Sequence, residues 1–196
     1  MLYFIMILVI LVWYTIVRCK ELDKIEAQKA TALKEMQEKL TLDGYNFSKR
    51  IPLKARPGGD SSPDSEIAFD FTKEELVLLK YVEATMTKIS FNSILDCEII
   101  EDNSTIQKGG LGRSIVGGAI AGGAGAVVGA ATRNSKNIVE NLAVRVITNN
   151  MENAMNMFVF LDSETKRDSE EYKYSFYNAQ ELYSTIFSII SRNNTK

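Results

Sequence analysis

Histidine is absent from the 196 residues, and only two cysteines occur, Cys19 and Cys97. Imidazole is the side chain that both moves protons near neutral pH and ligates metals as a neutral base. Its absence removes Ser-His-Asp and Cys-His catalytic sets and every His-containing metal site. Two thiols cannot build a four-thiolate zinc site either. Cys97 lies in a strand-like run and is expected as a small core residue, and Cys19 is expected to stay reduced. Neither sign of charge prevails, since 23 Lys+Arg stand against 25 Asp+Glu. No cofactor, metal, nucleic acid or small-molecule substrate is expected, and the chain is read as a non-enzyme.

Charge is missing altogether from Met1–Val17 (MLYFIMILVILVWYTIV). As a helix this run would be about 25 Å long, near the lower limit for a hydrocarbon core of about 30 Å. It is read as a transmembrane helix, with Trp13 and Tyr14 suited to an interfacial aromatic belt. Neither a basic residue before it nor a small-residue cleavage site after it marks a signal peptide, so the segment is expected to stay attached. Arg18 and Lys20 flank it, and residues 18–56 hold ten Lys+Arg against six acids. The positive flank places the N-terminus outside a cell membrane and the body in the cytoplasm, and it would attract anionic lipid headgroups.

Residues 18–50 form a basic stalk, rich in Glu, Lys, Ala and Gln and helical over 20–40. Leu22, Leu33, Met36 and Leu40 suggest a seam, but Glu26 and Lys29 interrupt it, which favours a solvated single stalk over a coiled coil. All three prolines fall within residues 52–65, together with Gly58 and Gly59. Residues 51–65 therefore read as a linker, and the body as residues 66–192.

In the body, strand-length apolar stretches recur at 67–71, 76–82, 85–91, 95–100, 105–107, 142–148 and 157–161. Glu101-Asp102-Asn103-Ser104 reads as a hairpin turn, which makes Glu98, Glu101 and Asp102 solvent-facing rather than a carboxylate cluster. From Ser169 to Arg192, Tyr172, Phe176, Ala179, Tyr183, Ile186 and Ile190 recur every three or four residues, as on the apolar face of a helix. Strands followed by one amphipathic helix predict an α+β fold, a small curved sheet or barrel capped by that helix.

Between the strands lies Ile115–Ala131 (IVGGAIAGGAGAVVGAA), uncharged and containing six glycines, inside a Gly-rich insert spanning 109–133. Gly117, Ala121, Gly125 and Gly129 form one small-residue track, and Gly118, Gly122, Ala126 and Ala130 a second. If helical, these ridges are flat and permit close approach of another backbone, as between helices in lipid. In water each Gly costs a helix about 0.8–1 kcal/mol relative to Ala, so the segment needs protein packing or lipid to hold it. A P-loop is excluded because Gly118 stands where Lys is required after Gly112 and Gly117. A dinucleotide fingerprint fails because Val128 occupies its third glycine position.

The segments FDFTKEELVLLKYV, ISFNSILDCEIIEDN, the Gly-rich insert, LAVRVIT and the closing helix together resemble a group of bacterial membrane-anchored proteins of Gram-positive and prophage type. These carry a pleckstrin-homology-like domain interrupted by a glycine-zipper insert. The resemblance covers residues 66–192 and implies that fold, but no reaction or ligand. The function expected is that of a single-pass membrane protein whose cytosolic domain binds a protein partner, itself or the membrane surface. The alternative is a membrane-active effector, of phage-defence or lysis type, that oligomerises through the insert.

Overall fold

The computed structural model describes residues 24, 27, 28, 30–54, 63–109 and 137–195. The N-terminal apolar run with Arg18 and Lys20, the centre of the linker and the Gly-rich insert lie outside these residues. Among the described residues no helix is long and apolar enough to cross a membrane.

Two four-stranded antiparallel sheets carry the core, and their strands follow the alternation of the sequence. The first has the order β1 (Lys49–Leu53), β2 (Ser65–Asp70), β3 (Glu75–Lys80) and β4 (Thr85–Ser90). A single 3-10 turn, Phe91–Ser93, leads into the second sheet, which contains β5 (Ile94–Glu101), β6 (Ser104–Gly109), β8 (Leu142–Thr148) and β9 (Met155–Leu161) in the order β6-β5-β8-β9. A two-stranded ribbon joins β7 (Ile138–Val139) to β10 (Thr165–Lys166). Register shifts in β5 against both neighbours and between β8 and β9 mark bulges, which increase twist and let a short sheet curve.

Side chains at alternate positions enter one core: Ile51 and Leu53 from β1, Ile67 and Phe69 from β2, Cys97 and Ile99 from β5, Val144 and Val146 from β8. The C-terminal helix, Glu170–Asn193, closes it with Tyr172, Ala179, Leu182, Tyr183, Ile186, Ile189 and Ile190. Ser169 caps this helix by accepting from the Tyr172 amide, and Glu170 and Glu171 occupy its positive first turn. The α+β class, the capping helix and the core role of Cys97 agree with the sequence reading.

Three strands were not read from the sequence: the two-residue β7 and β10, and the longer β1. β1 lies in the stretch assigned to stalk and linker, yet pairs in register with β2 from Lys49↔Phe69 to Leu53↔Ser65. The stalk is also not a freely solvated rod over its described length. Residues 30–42 are helical, and Met36 and Leu40 are buried against Ala68, Val77 and Leu79 on the outer face of the first sheet. That face is thus covered by the stalk while its inner face lines the core.

The stalk ends in a tight C-cap. Gly44 adopts φ +67°, its amide bonds Thr41 O at 3.0 Å, and the Tyr45 amide bonds Leu40 O at 3.0 Å. This pair of bonds is the glycine-terminated Schellman arrangement. It delivers Tyr45 to Glu75, which accepts from its hydroxyl, and brings Lys73 and Lys88 over its ring at 5.2 and 4.8 Å. Asp43 pairs with Lys88 at 3.0 Å, closing the clasp. A Cβ at position 44 would force a left-handed backbone on an L-residue, so Gly44→Ala should destabilise the domain by about 1–2 kcal/mol in urea denaturation. An unchanged midpoint would show that the clasp does not depend on this turn.

Candidate functional site

Gly117, Gly118, Ala121, Gly122, Gly125 and Gly129 lie outside the described residues, as do Arg18 and Lys20. What the structure defines is the frame from which the Gly-rich segment departs and to which it returns. Departure is from β6, whose last residue, Gly109, pairs with Cys97. Return is at Asn137, just ahead of β7.

The return point is held by a buried polar network. Asn137 O accepts the Arg167 amide at 3.0 Å, and the Arg167 guanidinium pairs with Glu101 at the end of β5. The second oxygen of Glu101 accepts from the Tyr172 hydroxyl at 2.6 Å. Glu101 is 4% exposed, so its charge must be compensated within the protein. Burial, followed by the bond to Glu101, raises the Tyr172 hydroxyl above its ordinary pKa and keeps it a neutral donor. Beside this network Asp102 accepts from the amides of Glu140 and Asn141 at 2.9 and 3.0 Å. The hairpin that holds Asp102 turns at Asp102 and Asn103, both at positive φ, as a two-residue turn between antiparallel strands requires.

A second buried carboxylate lies on the same strand, three residues before Glu101. Glu98 is 2% exposed, pairs with Arg145 directly across on β8, and accepts from Thr105 Oγ1 at 2.8 Å. The expectation that Glu98 and Glu101 face solvent is therefore corrected: both are buried ion-pair partners. Each carboxylate is committed to an arginine and a hydroxyl, which suits anchoring of strands. No group of three or more Cys, Asp or Glu side chains that could hold a metal exists among the described residues. Cys97 is fully buried, and burial, with Asp96 and Glu98 adding to it, pushes its thiol up to about 12, which leaves it protonated and unreactive at neutral pH.

The Arg partners could not be found by spacing, because Arg145 and Arg167 lie 47 and 66 residues from the carboxylates they meet. The signal that was available is the alternation of β5. Glu98 sits in LDCEIIE among strand residues at the centre of a sheet rather than beyond its end.

No curated protein and no solved structure matches the chain. The family model described as "Glycine zipper containing PH domain" matches residues 58–162, more than half of the sequence. The match takes in eight of the ten strands among the described residues, from β2 to β9, and spans in sequence the whole Gly-rich segment between β6 and β7. With two curved sheets, a closing helix and an uncharged glycine-patterned insert in one chain, this protein belongs to the family of pleckstrin-homology domains that contain a glycine zipper.

Proposed function

We propose that the protein is a non-enzymatic, single-pass protein of a bacterial cell membrane, with its pleckstrin-homology-like domain on the cytoplasmic side as an interaction or scaffold module. The observation that carries this reading is the docked stalk. Met36 and Leu40 pack on the first sheet and the Tyr45 clasp fastens the stalk's end, while the same stretch leads back in sequence to the uncharged Met1–Val17. A stalk bound to the domain would hold it near the bilayer in a restricted orientation, which suits capture of a protein partner at the membrane surface. Arg18 and Lys20 supply the cytoplasmic positive flank. The membership in a pleckstrin-homology family supports an interaction role rather than a reaction.

Fractionation tests the anchor. The full chain should sediment with membranes and remain there through high-salt and alkaline washes, with a C-terminal reporter accessible only after the cells are opened. A chain lacking residues 1–17 should move to the soluble fraction. Recovery of the full chain in the high-salt wash, or a reporter accessible from outside, overturns the proposal.

A further inference from the structure

The stalk helix is joined to the domain by side chains rather than by its backbone. Its buried residues, Met36 and Leu40, share a small cluster with Ala68, Val77 and Leu79, and none of these five belongs to the core that the C-terminal helix closes. The amides of Asp43, Gly44 and Tyr45 bond back to Lys39, Thr41 and Leu40. Among the described residues, the first amide past the helix to reach the sheet is that of Asn46, which donates to the Asp70 carboxylate at 2.8 Å. The first main-chain bond to the sheet follows at Ser48, whose amide meets Phe69 O at 3.0 Å. The ion pair of Asp43 with Lys88 is more than a third exposed on both sides, so solvent screens it. Beneath the helix the sheet is already complete: β1 to β4 are paired in order, and their inner face is filled by the main core. Lifting the stalk would therefore uncover Val77 and Leu79, now 0% and 1% exposed, without breaking a strand pairing.

We infer that the outer face of the first sheet is a seat for an amphipathic helix, filled in cis by the stalk, and that the stalk lifts from it as a unit while the domain stays folded. Two buried side chains hold the stalk, whereas both sheets and the C-terminal helix share the main core. The smaller set gives way first, as local opening precedes global unfolding. The chemistry of the seat defines what it accepts. Val77 and Leu79 occupy alternate positions of β3, with Ala68 opposite Val77 and Met86 opposite Leu79, so the strip is apolar and the small Ala68 leaves room for a helix. Leu33, Met36 and Leu40 meet this strip with spacings of three and four, which place large apolar side chains on one helix face. At the end of the helix Lys88 pairs with Asp43, and Lys73 and Lys88 lie over the Tyr45 ring. Cations there suit the negative pole of a helix. The partner that fits is thus a helix with large apolar residues at i, i+3 and i+7 and an acidic residue just past its C-terminus. In an anchored chain, opening would also free the domain from the orientation that the stalk imposes. The seat and its strap depend only on these contacts and stand whether or not residues 1–17 enter a bilayer.

Thiol labelling of the full chain in mild detergent tests it. The parent carries Cys19→Ser and keeps Cys97, buried in the main core, as an internal reference for opening of the domain. Val77→Cys added to this parent should react with a maleimide about a hundredfold faster than Cys97, because it needs only the stalk to lift. Leu40→Ala removes a buried side chain without lowering helix propensity, so it should speed labelling at position 77 about 30-fold and leave Cys97 unchanged. A peptide of residues 30–46, added at about 1 mM to the Leu40→Ala chain, should slow labelling at position 77 about fivefold. The same peptide with Met36→Lys and Leu40→Lys should have no effect, since its charges cannot be seated on an apolar strip. Far-UV melts confirm that each chain is folded, and Leu79→Cys replaces Val77→Cys should the latter fail to fold. Equal rates at position 77 and Cys97, or an equal response of both to Leu40→Ala, would show that the stalk opens only with the domain and overturns the inference. A peptide without effect, or equal protection by the Lys-substituted peptide, overturns the helix seat.

Discussion

A chain ending at Asp168 should show no cooperative unfolding transition. The family match stops at residue 162, but the core does not. The C-terminal helix places Leu182 and Ile186, both fully buried, and Ile189 and Ile190, nearly so, among side chains from both sheets. Burial of a Leu or Ile is worth about 1.5–3 kcal/mol, so these four contribute about 6–12 kcal/mol before any aromatic residue is counted. Domains of this size are stable by only about 5–15 kcal/mol in total. The helix also fastens the first sheet from outside the core: Lys49 pairs with Glu181 at 3.1 Å, Arg192 with Glu74 at 2.8 Å, and Asn193 donates to Phe91 O at 2.9 Å. Urea denaturation followed by far-UV circular dichroism should show a sigmoidal transition for the full chain and a gradual slope for the truncated one. A sharp transition in the truncated chain would mean that the sheets close without the helix.

Arg167→Ala should cost about 3–5 kcal/mol, the range for leaving one member of a buried ion pair unpaired. Arg167 and Glu101 side chains are 15% and 4% exposed, so water cannot take over from the lost guanidinium. Tyr172 supplies one hydrogen bond at 2.6 Å but no charge. Neutralising the orphan should therefore recover stability. The double variant Arg167→Ala, Glu101→Gln is expected to be more stable than Arg167→Ala alone, and the cycle with Glu101→Gln should return a coupling of about 1–3 kcal/mol. A loss below about 1 kcal/mol for Arg167→Ala, as for an exposed pair, would contradict the buried geometry. Arg167 and Glu101 stand at the return of the Gly-rich segment, where the Arg167 amide donates to Asn137 O.

Much of the fold was legible because strand alternation and helical spacing are local. The stretch 142–148 coincides with β8, and the helix expected over 169–192 is found at Glu170–Asn193. The turn at Glu101–Ser104 follows from two residues that tolerate positive φ. β1 was not legible, since Pro52 and the Pro-Gly stretch after it carry a linker signal. The strand survives because it is the outermost of its sheet, where proline is tolerated, and because Ile51 and Leu53 alternate inward. Neither of those facts is visible in KRIPL alone.

Residue chemistry in chain order was enough to establish an uncharged leading run, a basic stretch, a strand-rich body with a closing amphipathic helix, and a glycine-patterned segment inside it. Each of these depends on periodicity or composition within about twenty residues. Which side of each sheet is covered depends instead on encounters between distant positions: Met36 with Val77, Glu98 with Arg145, Glu101 with Arg167 and Tyr172. Burial is a property of the assembled surfaces. A glutamate in a strand therefore reads the same whether it meets water or an arginine, until the chain has closed around it.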